Sequence, residues 1–262
     1  MIKLIASDLD GTLLQNGAQQ LNPKVFDLIR ALKEEDVLFV AASGRQYCNL
    51  QRLFAPVKDD IAYVAENGSL CVYKNQILSK GTIDKALGIR IIEAIHNFHH
   101  CDCIVSGEKV CYTDSRNQRF LNYMIDEVGN DMEIVDNLAT DIKEEFLKIA
   151  VCDFDGTKRC EKYLKDIFGS EIKIVTSGNI WVDFIAPGTN KGVALEGLLN
   201  HLHIDPKDCI SFGDQYNDVE MLQLTGTSYA MSNAAPGIAY YSTYVTDSVE
   251  EVLEDITATL IL

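Results

Sequence analysis

Two aspartates, one residue apart, follow the first apolar segment of the chain. Residues 2–7 carry an apolar run that predicts a buried strand, and Asp8, Asp10, Gly11 and Thr12 come soon after it. Side chains at positions i and i+2 of an extended segment point to the same side, so the two carboxyl groups are expected to share one small volume. Two carboxylates at such a short distance repel each other unless a cation or a reaction compensates their charge. The pair therefore predicts a divalent-metal site and an acceptor for a phosphoryl group.

Further polar residues stand where predicted strands end or a helix begins. They are Ser43, Gly44 and Arg45 after a strand that ends at Ala42, Lys191 at the start of a helix over 191–202, and Asp214, Asn217 and Asp218 after a strand over 208–212. The active sites of open α/β sheets lie at the carboxyl ends of the strands, near the point where the strand order reverses. These residues are therefore expected to meet the aspartate pair.

The elements that must position these residues alternate between strand and helix at both ends of the chain. Residues 1–81 and 187–262 contain continuous apolar strands separated by helical patterns, which is typical of a doubly wound parallel sheet covered on both faces. Residues 82–186 instead contain short strands joined by tight turns, such as Ser177-Gly178-Asn179, which predicts an antiparallel sheet with helices on one face. The sequence thus predicts an α/β core interrupted by an inserted α+β domain.

The bulk composition disfavours several classes of protein. The chain has 262 residues and a formal net charge of −16 at pH 7, which argues against nucleic acid and anionic membrane surfaces as partners. No apolar stretch reaches the roughly 20 residues that a membrane-spanning helix needs, and the start of the chain does not resemble a signal peptide. The eight cysteines lack the spacing of a disulfide framework. A cytoplasmic monomer or homodimer that acts on a small molecule is expected.

Taken in order, these motifs resemble those of the haloacid dehalogenase (HAD) superfamily. The segments Asp8 to Thr12 and Ser43 to Arg45, then Lys191 and the loop from Gly213 to Asp218, match the motifs of that superfamily in type and order. More narrowly, the chain resembles the Cof-type phosphatases, in which a type IIB cap is inserted between the second and third motifs. The resemblance covers nearly the whole chain. It implies a Rossmann-like HAD core and a substrate-selecting cap, corresponding to the core and the insert defined above.

The resemblance also implies roles for the residues of the site. Asp8 is expected to attack phosphorus and form an aspartyl phosphate, and Asp10, oriented by the Thr12 hydroxyl, to act as general acid and then as base. Ser43 and Lys191 are expected to bind and neutralise the phosphoryl oxygens. Mg²⁺, which prefers hard oxygen ligands, is the expected cofactor. The expected metal-binding residues are Asp8, Asp10 through its carbonyl, Asp214 and Asp218, and the expected substrate-binding residues are Thr12, Gly44, Arg45, Asn67 and Asn217, together with insert residues near 177–183.

A second copy of the first motif, Asp153-Phe154-Asp155-Gly156-Thr157, follows another apolar segment. A catalytic core that began there would still have Lys191 and Asp214 downstream. It would lack the helix–strand crossover between nucleophile and serine, and it would leave the α/β half at 1–80 without a role. The first copy is therefore preferred, and the second is interpreted as a strand and turn of the insert.

A group of histidines and cysteines offers an alternative metal site. His96, His99, His100, Cys101 and Cys103 are all of ligand types that bind zinc. The group lacks a Cys-x-x-Cys spacing, and histidines suit the negative end of a helix dipole. A helix end followed by a strand is therefore favoured over a structural zinc site.

The predicted function is a Mg²⁺-dependent phosphomonoester hydrolase. Sugar phosphates and phosphorylated cofactors are the expected substrates. A phosphomutase or other phosphoryl transferase on the same core is the alternative, and it would require an insert that holds a sugar bisphosphate and excludes water. A non-catalytic binding protein is disfavoured, because every charged residue of the site is present.

Overall fold

The protein forms two compact units, each built on its own sheet. The structure is a computed structural model that describes residues 2–98, 101–177 and 180–260. The first unit comprises Met1–Arg45, Leu50–Ser79 and Asn190–Leu262, and the second comprises Gln46–Asn49 and Lys80–Thr189. The predicted α/β fold is confirmed by the two sheets described below. The assignment of 82–186 as a substrate-selecting cap stays a prediction.

The first segment of the chain alternates strands with helices. Its elements are β1 (Leu4–Ser7), α1 (Pro23–Glu34), β2 (Leu38–Ala42), α2 (Tyr47–Leu53), β3 (Ala62–Ala65), β4 (Leu70–Tyr73) and β5 (Gln76–Lys80). Every residue of β1 is buried, as expected for a parallel strand covered on both faces. Helix α1 begins where its sequence indicates, with Asn22 accepting a hydrogen bond from the Lys24 amide and Pro23 in the first turn.

The middle segment carries a second sheet. Its elements are α3 (Lys85–His96), β6 (Asp102–Ser106), β7 (Cys111–Thr113), α4 (Gln118–Asn122), β8 (Met132–Ile134), α5 (Leu138–Asp141), β9 (Lys148–Cys152), α6 (Lys158–Phe168), β10 (Lys173–Ser177) and β11 (Trp181–Ile185). In the described chain these strands lie in the order β10-β11-β9-β6-β7-β8, with antiparallel pairs except β7 with β8. Helix α4 is short, because the chain passes into a π-helical turn over Tyr123–Glu127.

The last segment completes the first sheet. Its elements are α7 (Lys191–Leu202), β12 (Cys209–Gly213), α8 (Val219–Leu224), β13 (Thr227–Met231), β14 (Tyr244–Thr246) and α9 (Val249–Leu260). The sheet order is β14-β13-β12-β1-β2-β3-β4-β5, and all pairs from β14 to β3 are parallel. The order reverses at β1, whose neighbours β2 and β12 belong to opposite ends of the chain. This reversal creates the kind of crevice in which open α/β sheets bind ligands.

Apolar residues are buried in separate cores. One cluster in the first unit includes Leu4, Val40 and Leu195, which belong to β1, β2 and α7. A second cluster lies wholly in the other unit and includes Ile91 and Phe184. Among the residues that the structure describes, no helix combines the length and hydrophobicity that crossing a membrane requires.

Candidate active site

Three neighbouring strands of the first sheet end in polar residues. The parallel register places Asp8, directly after β1, beside the ends of β2 and β12. Ser43 follows β2, and Asp214 follows β12. All three are buried, with exposed fractions of 5%, 1% and 3% for Asp8, Ser43 and Asp214. The sheet therefore brings these residues together at the point where the strand order reverses.

Lys191 is the first residue of α7, and it is fully buried. Asn190 fixes the start of the helix by accepting a hydrogen bond from the Val193 amide at 2.8 Å. The lysine ammonium donates to Asp8 Oδ1 at 2.5 Å and to Asp218 Oδ1 at 2.6 Å. Burial lowers the pKa of Lys191, but the charges of Asp218 and Asp8 together outweigh burial and raise the pKa above its ordinary value. The lysine is therefore a fixed positive charge between two carboxylates.

Asp218 also organises the loop that follows β12. Its Oδ2 accepts hydrogen bonds from the amides of Asp214 and Gln215, both at 3.0 Å. Gln215 completes a reciprocal capping box with Asp218 at the start of a 3₁₀ turn. Gly213 leaves room for this arrangement, because a Cβ at that position would lie 2.5 Å from the Asp218 Cβ. Asp218 thus connects Lys191 to the backbone that carries Asp214.

Gly11 and Thr12 contact Asp214 from the first motif. Gly11 has a φ of +93°, and a Cβ on it would lie 2.2 Å from Asp214 Oδ2. Both the torsion angle and the lack of space therefore require glycine. Thr12 Oγ1 donates to Asp214 Oδ1 at 3.2 Å. The expectation that Thr12 orients Asp10 is wrong, because the Thr12 hydroxyl donates to Asp214 in the loop after β12 instead.

Asp10 forms an ion pair with Arg45. Arg45 Nε donates to Asp10 Oδ2 at 2.9 Å, and Arg45 Nη2 donates to Asp10 Oδ1 at 2.6 Å. Strand β1 has already ended, and Leu9 lies in a turn, so the alternation of side chains along an extended segment does not reach Asp10. The prediction that Asp8 and Asp10 aim their carboxyl groups at one volume is corrected: Lys191 binds the first, and Arg45 binds the second.

The remaining predicted substrate-binding residues lie on loops of the same unit. Ser43 Oγ accepts a hydrogen bond from the Arg45 amide at 3.1 Å, which leaves the serine O–H available as a donor. Asn217 Nδ2 donates to Asn67 Oδ1 at 3.0 Å. A Cβ on Gly44 would lie 3.0 Å from the same Asn67 oxygen, so the loops are closely packed. Contact of these residues with substrate stays a prediction.

Asp8, Asp214 and Asp218 form a compact acidic group, in which one carboxylate oxygen from each lies within 4.8 Å of the others. Burial raises the pKa of Asp8, with Lys191 opposing it and the other two carboxylates adding to it. Burial and then the charge of Asp218 raise the pKa of Asp214. The carboxylates outnumber the ammonium group of Lys191, and a divalent cation would offset the excess negative charge. Because all the donors are oxygens, the group fits the Mg²⁺ that the sequence implies.

Sequence reasoning missed several residues that support the site. Gln215 Nε2 donates to Asp214 Oδ2 at 3.2 Å. Asn233 Nδ2 donates to the Gly11 carbonyl at 3.0 Å, and Gln19 Oε1 accepts from an Arg45 nitrogen at 3.4 Å. Gln215 is next to Asp214 in the sequence, so its position alone indicates that its side chain can contact the site. Gln19 and Asn233 lie in loops outside the four motifs, and no role was predicted for either residue.

The second motif copy and the histidine–cysteine group lie in the second unit. Asp153 follows β9 there. His96 Nε2 lies 3.1 Å from an Asp114 oxygen. In the described part of the chain, His96 and Cys103 are not members of the metal-ligating group that includes Cys101. The preference against a structural zinc site in the histidine–cysteine group stays a prediction. The predicted residues His99, His100, Gly178 and Asn179 lie outside the described residues.

Known proteins resemble this chain over nearly all of its length. The family model of the haloacid dehalogenase-like hydrolases matches residues 5–254. The chain is 29% identical to the 5-amino-6-(5-phospho-D-ribitylamino)uracil phosphatase YbjI of Escherichia coli K12, over 97% of each chain. It is 26% identical to an HMP-PP phosphatase of Escherichia coli O6:H1, over 90% of this chain and 86% of that one. The solved structure of SMU.1108c from Streptococcus mutans UA159 has a TM-score of 0.86 and 27% identity, and the match covers 98% of this chain and all of that one.

Proposed function

Because this chain belongs to the haloacid dehalogenase-like hydrolases, we propose that it is a Mg²⁺-dependent phosphatase that acts through an aspartyl phosphate. The observation that carries the proposal is the buried group of Asp8, Asp214 and Asp218 around the Lys191 ammonium. A carboxylate held by a fixed cation at a strand end is an ordered nucleophile. When bound, Mg²⁺ supplies positive charge that stabilises the oxygens of the phosphoryl group during transfer.

The first step of the proposed reaction transfers the phosphoryl group to Asp8. The Asp8 carboxylate attacks phosphorus, an Asp8–phosphorus bond forms, and the bond from phosphorus to the ester oxygen breaks. Lys191 binds Asp8 Oδ1 and orients the carboxylate, while its charge attracts the phosphoryl oxygens. Asp10 gives a proton to the departing alkoxide. Both Asp10 oxygens accept hydrogen bonds from Arg45, so one of these bonds must break before that proton transfer.

The second step releases phosphate. Asp10 accepts a proton from a water molecule, the water oxygen bonds to phosphorus, and the Asp8–phosphorus bond breaks. Ser43 supports both steps, because its O–H can donate to a phosphoryl oxygen while its Oγ accepts from the Arg45 amide. The two steps regenerate Asp8 and use one water molecule per ester.

The proposed substrates are small phosphate esters, such as sugar phosphates and phosphorylated cofactors. The two relatives described above are named for 5-amino-6-(5-phospho-D-ribitylamino)uracil and for HMP-PP, which are both small phosphorylated compounds. The formal net charge of −16 adds long-range repulsion toward polyanions such as nucleic acid. We therefore assign the protein to the phosphatases of small metabolites.

The test is hydrolysis of para-nitrophenyl phosphate, with and without Mg²⁺, by the wild type and by Asp8→Asn. The substitution removes the nucleophile with little change in volume, so turnover should fall by at least about 10³-fold while the fold, followed by circular dichroism, is retained. Asp155→Asn is the matched control, because Asp155 is an exposed aspartate of the second motif copy. It should keep wild-type turnover. Near-normal turnover by Asp8→Asn, or loss in Asp155→Asn alone, would contradict the assignment of Asp8.

A second assay separates hydrolysis from phosphoryl transfer. The wild type is supplied with a sugar 1-phosphate and Mg²⁺, and the products are followed by phosphorus NMR. Release of inorganic phosphate is expected. Accumulation of an isomeric sugar phosphate without inorganic phosphate would identify a phosphomutase instead.

A further inference from the structure

The second unit contains a group of metal-ligating side chains that the proposed reaction does not use. One ligand atom each of Cys101, Asp153 and Cys160 lies within 4.8 Å of the other two. The Cys101 thiol donates to Asp153 Oδ2 across 3.8 Å. Asp153 and Cys160 are buried and Cys101 is half-buried, so the group is accessible from one side. We call these three residues the thiol group.

The fold brings the thiol group together from three separate elements. Strands β6 and β9 are antiparallel, and their register pairs Asp102 with Cys152. Cys101, just before β6, and Asp153, just after β9, therefore lie opposite each other at the same end of this pair. Cys160 is the third residue of α6. A cysteine in the first turn of a helix is favoured as the thiolate, which is the metal-binding form.

The second motif copy orients the carboxylate of the thiol group. Asp153 Oδ1 accepts a hydrogen bond from the Asp155 amide at 2.9 Å, and the Gly156 amide donates to the Asp153 carbonyl at 3.0 Å. Gly156 has a φ of +103°, which closes the turn. With Oδ1 bound by the backbone, Oδ2 is the oxygen that faces Cys101. The motif thus acts here as a turn that presents one carboxylate oxygen to a sulfur atom.

A cavity of about 250 Å³ borders the thiol group. Its lining includes Cys101 and Asp153 of the group, together with Asp102, Asn117, Arg119 and Phe154. Asp102 accepts hydrogen bonds from Ser115 and Asn117, at 2.5 Å and 2.9 Å, and is not a member of the thiol group. The volume is sufficient for a water molecule or a small anion to reach Cys101 and Asp153, which line the cavity.

We propose that Cys101, Asp153 and Cys160 bind a divalent cation of the zinc class, with a water molecule or small anion from the cavity as fourth ligand. Two sulfur ligands select a borderline-soft cation over Mg²⁺. In a tetrahedral zinc site, sulfur at about 2.3 Å and oxygen at about 2.1 Å from the ion are roughly 3.6 Å apart. The 3.8 Å between Cys101 Sγ and Asp153 Oδ2 is close to that value. These two ligand atoms are therefore already near the separation that a tetrahedral ion requires, and the Cys160 sulfur lies within 4.8 Å of both.

Each thiol of the group has a hydrogen-bond acceptor in the structure. The Cys101 thiol donates to Asp153 Oδ2, and the Cys160 thiol donates to the Thr157 carbonyl at 3.1 Å. Each thiol that is still protonated therefore releases its proton to solvent when its sulfur binds the cation.

The test uses the reduced full-length protein with Co²⁺ as a spectroscopic probe, in excess Mg²⁺. Under the proposed function, excess magnesium fills the oxygen site of the first unit. A thiolate-to-cobalt charge-transfer band reports sulfur ligands alone. We expect the band to saturate at about one Co²⁺ per chain and to disappear when Zn²⁺ is added. Cys101→Ser and Cys160→Ser should each abolish the band, and Asp153→Asn should weaken the affinity by about tenfold or more.

Cys48→Ser is the matched control, because Cys48 is also half-buried but lies outside the thiol group. It should leave the titration unchanged. If Cys160→Ser fails to fold, Cys101→Ser carries the test alone, because its half-buried position tolerates the change. Absence of the band in the wild type, or its persistence in Cys101→Ser, would overturn the proposal. A Cys101–Cys160 disulfide after mild oxidation, found by mass spectrometry with no metal band in the reduced protein, would overturn it in favour of a redox pair.

Discussion

Asp8 is a nucleophile candidate whose reactivity depends on opposing charges. The Lys191 ammonium lies 2.5 Å from its Oδ1, and both side chains are buried. Taking an ion pair out of water costs several kcal/mol per ion in general, and the contact with Asp218 at 2.6 Å offsets part of that cost. The arrangement orders the Asp8 carboxylate but leaves it beside two further carboxylates, those of Asp214 and Asp218. Its ionisation should therefore affect the stability of the protein.

We expect this effect in the pH dependence of unfolding. Burial raises the pKa of Asp8 in the folded state, with smaller contributions from Asp218 and Asp214 and opposition from Lys191. Between the unfolded-state pKa of about 3.9 and the raised folded-state pKa, the folded protein binds more protons than the unfolded protein. The contribution of Asp8 to the free energy of unfolding therefore falls as pH rises through this interval.

The measurement is urea unfolding of the wild type and of Asp8→Asn between pH 4 and pH 8, with chelator present. Asp8→Asn should gain stability relative to the wild type as pH rises, and the difference should level off above the folded-state pKa. Asp214, whose pKa burial also raises, should give the same trend when replaced by asparagine. Parallel curves for the wild type and Asp8→Asn at every pH would contradict this interpretation.

Gly11 allows a second prediction about single residues. In Gly11→Ala, the new Cβ would lie 2.2 Å from Asp214 Oδ2, so the predicted metal ligand must move. A displacement of about 1 Å at such a site costs roughly 100-fold in turnover. Gly17→Ala is the control, because Gly17 has a φ of +76° with no atom within 4 Å of the added Cβ.

Both variants should lose about 1–2 kcal/mol of stability from the left-handed backbone conformation. The loss of turnover should be confined to Gly11→Ala. Kinetics with an aryl phosphate and urea unfolding separate the two effects. Equal turnover in the two variants would show that Asp214 tolerates the displacement.

The chemical types of the site residues could be predicted from the sequence, but not all of their partners could. Asp8, Ser43 and Asp214 follow apolar strands, and strand ends are recognisable because buried strands are continuously apolar. The pairing of Asp10 with Arg45 depends on the turn after β1, where the backbone leaves the extended conformation. Torsion angles in such a turn are not encoded in a two-residue spacing. The hydrogen bond from Thr12 to Asp214 was missed for the same reason.

Helix α7 positions Lys191 through its N-cap. Asn190 accepts a hydrogen bond from the Val193 amide, so Asn190→Ala should cost about 1 kcal/mol of stability and also reduce turnover, because the first turn carries the lysine. Asn22→Ala, at the equivalent position of α1, should cost a similar free energy and leave turnover unchanged. Asn190→Ser should restore both properties, since serine is an equally good N-cap.

Thermal unfolding and steady-state kinetics on these three variants provide the measurement. The comparison separates the effect of an N-cap on the position of Lys191 from its effect on helix stability, because both caps are asparagines that each accept one amide hydrogen bond. Loss of turnover in Asn22→Ala as well would mean that any loss of helix stability impairs the enzyme. In that case Asn190 would have no special role in positioning.

Element boundaries were predictable where a cap or a continuous apolar run marks them. The start of α1 has both Asn22 and Pro23, and the structure begins the helix there. The stretch near 115–128 has helical composition throughout, yet the structure changes from α to π geometry at Tyr123. Periodicity does not distinguish these geometries over one turn. Similarly, α8 begins at Val219, because Asp218 uses its carboxylate to close a 3₁₀ turn first.

The whole molecule divides its apolar contacts between two units. Two hydrophobic clusters lie entirely within residues 80–189. One includes Ile91, Phe146 and Phe184, and the other includes Phe120 and Cys152. A segment of that length with its own core is within the size range of an independent domain.

We expect residues 80–189, expressed alone, to fold cooperatively. Circular dichroism during urea titration should give a sigmoidal transition, and near-ultraviolet signals from Trp181 should unfold at the same midpoint. The isolated segment should have no phosphatase activity, because Asp8, Lys191 and Asp214 all lie outside it. A gradual, non-cooperative transition would show that its core depends on the rest of the chain.

Gly81 and Thr189 stand at the two ends of that segment, and a Cβ on Gly81 would lie 2.4 Å from Thr189 Oγ1. The chain segments that enter and leave residues 80–189 are thus direct neighbours at this point. An insert whose two ends adjoin can be replaced by a different domain, because the replacement needs only to have its own two ends equally close together. The predicted catalytic unit can then keep its own fold while the insert, the predicted site of substrate selection, is replaced between its two adjoining ends.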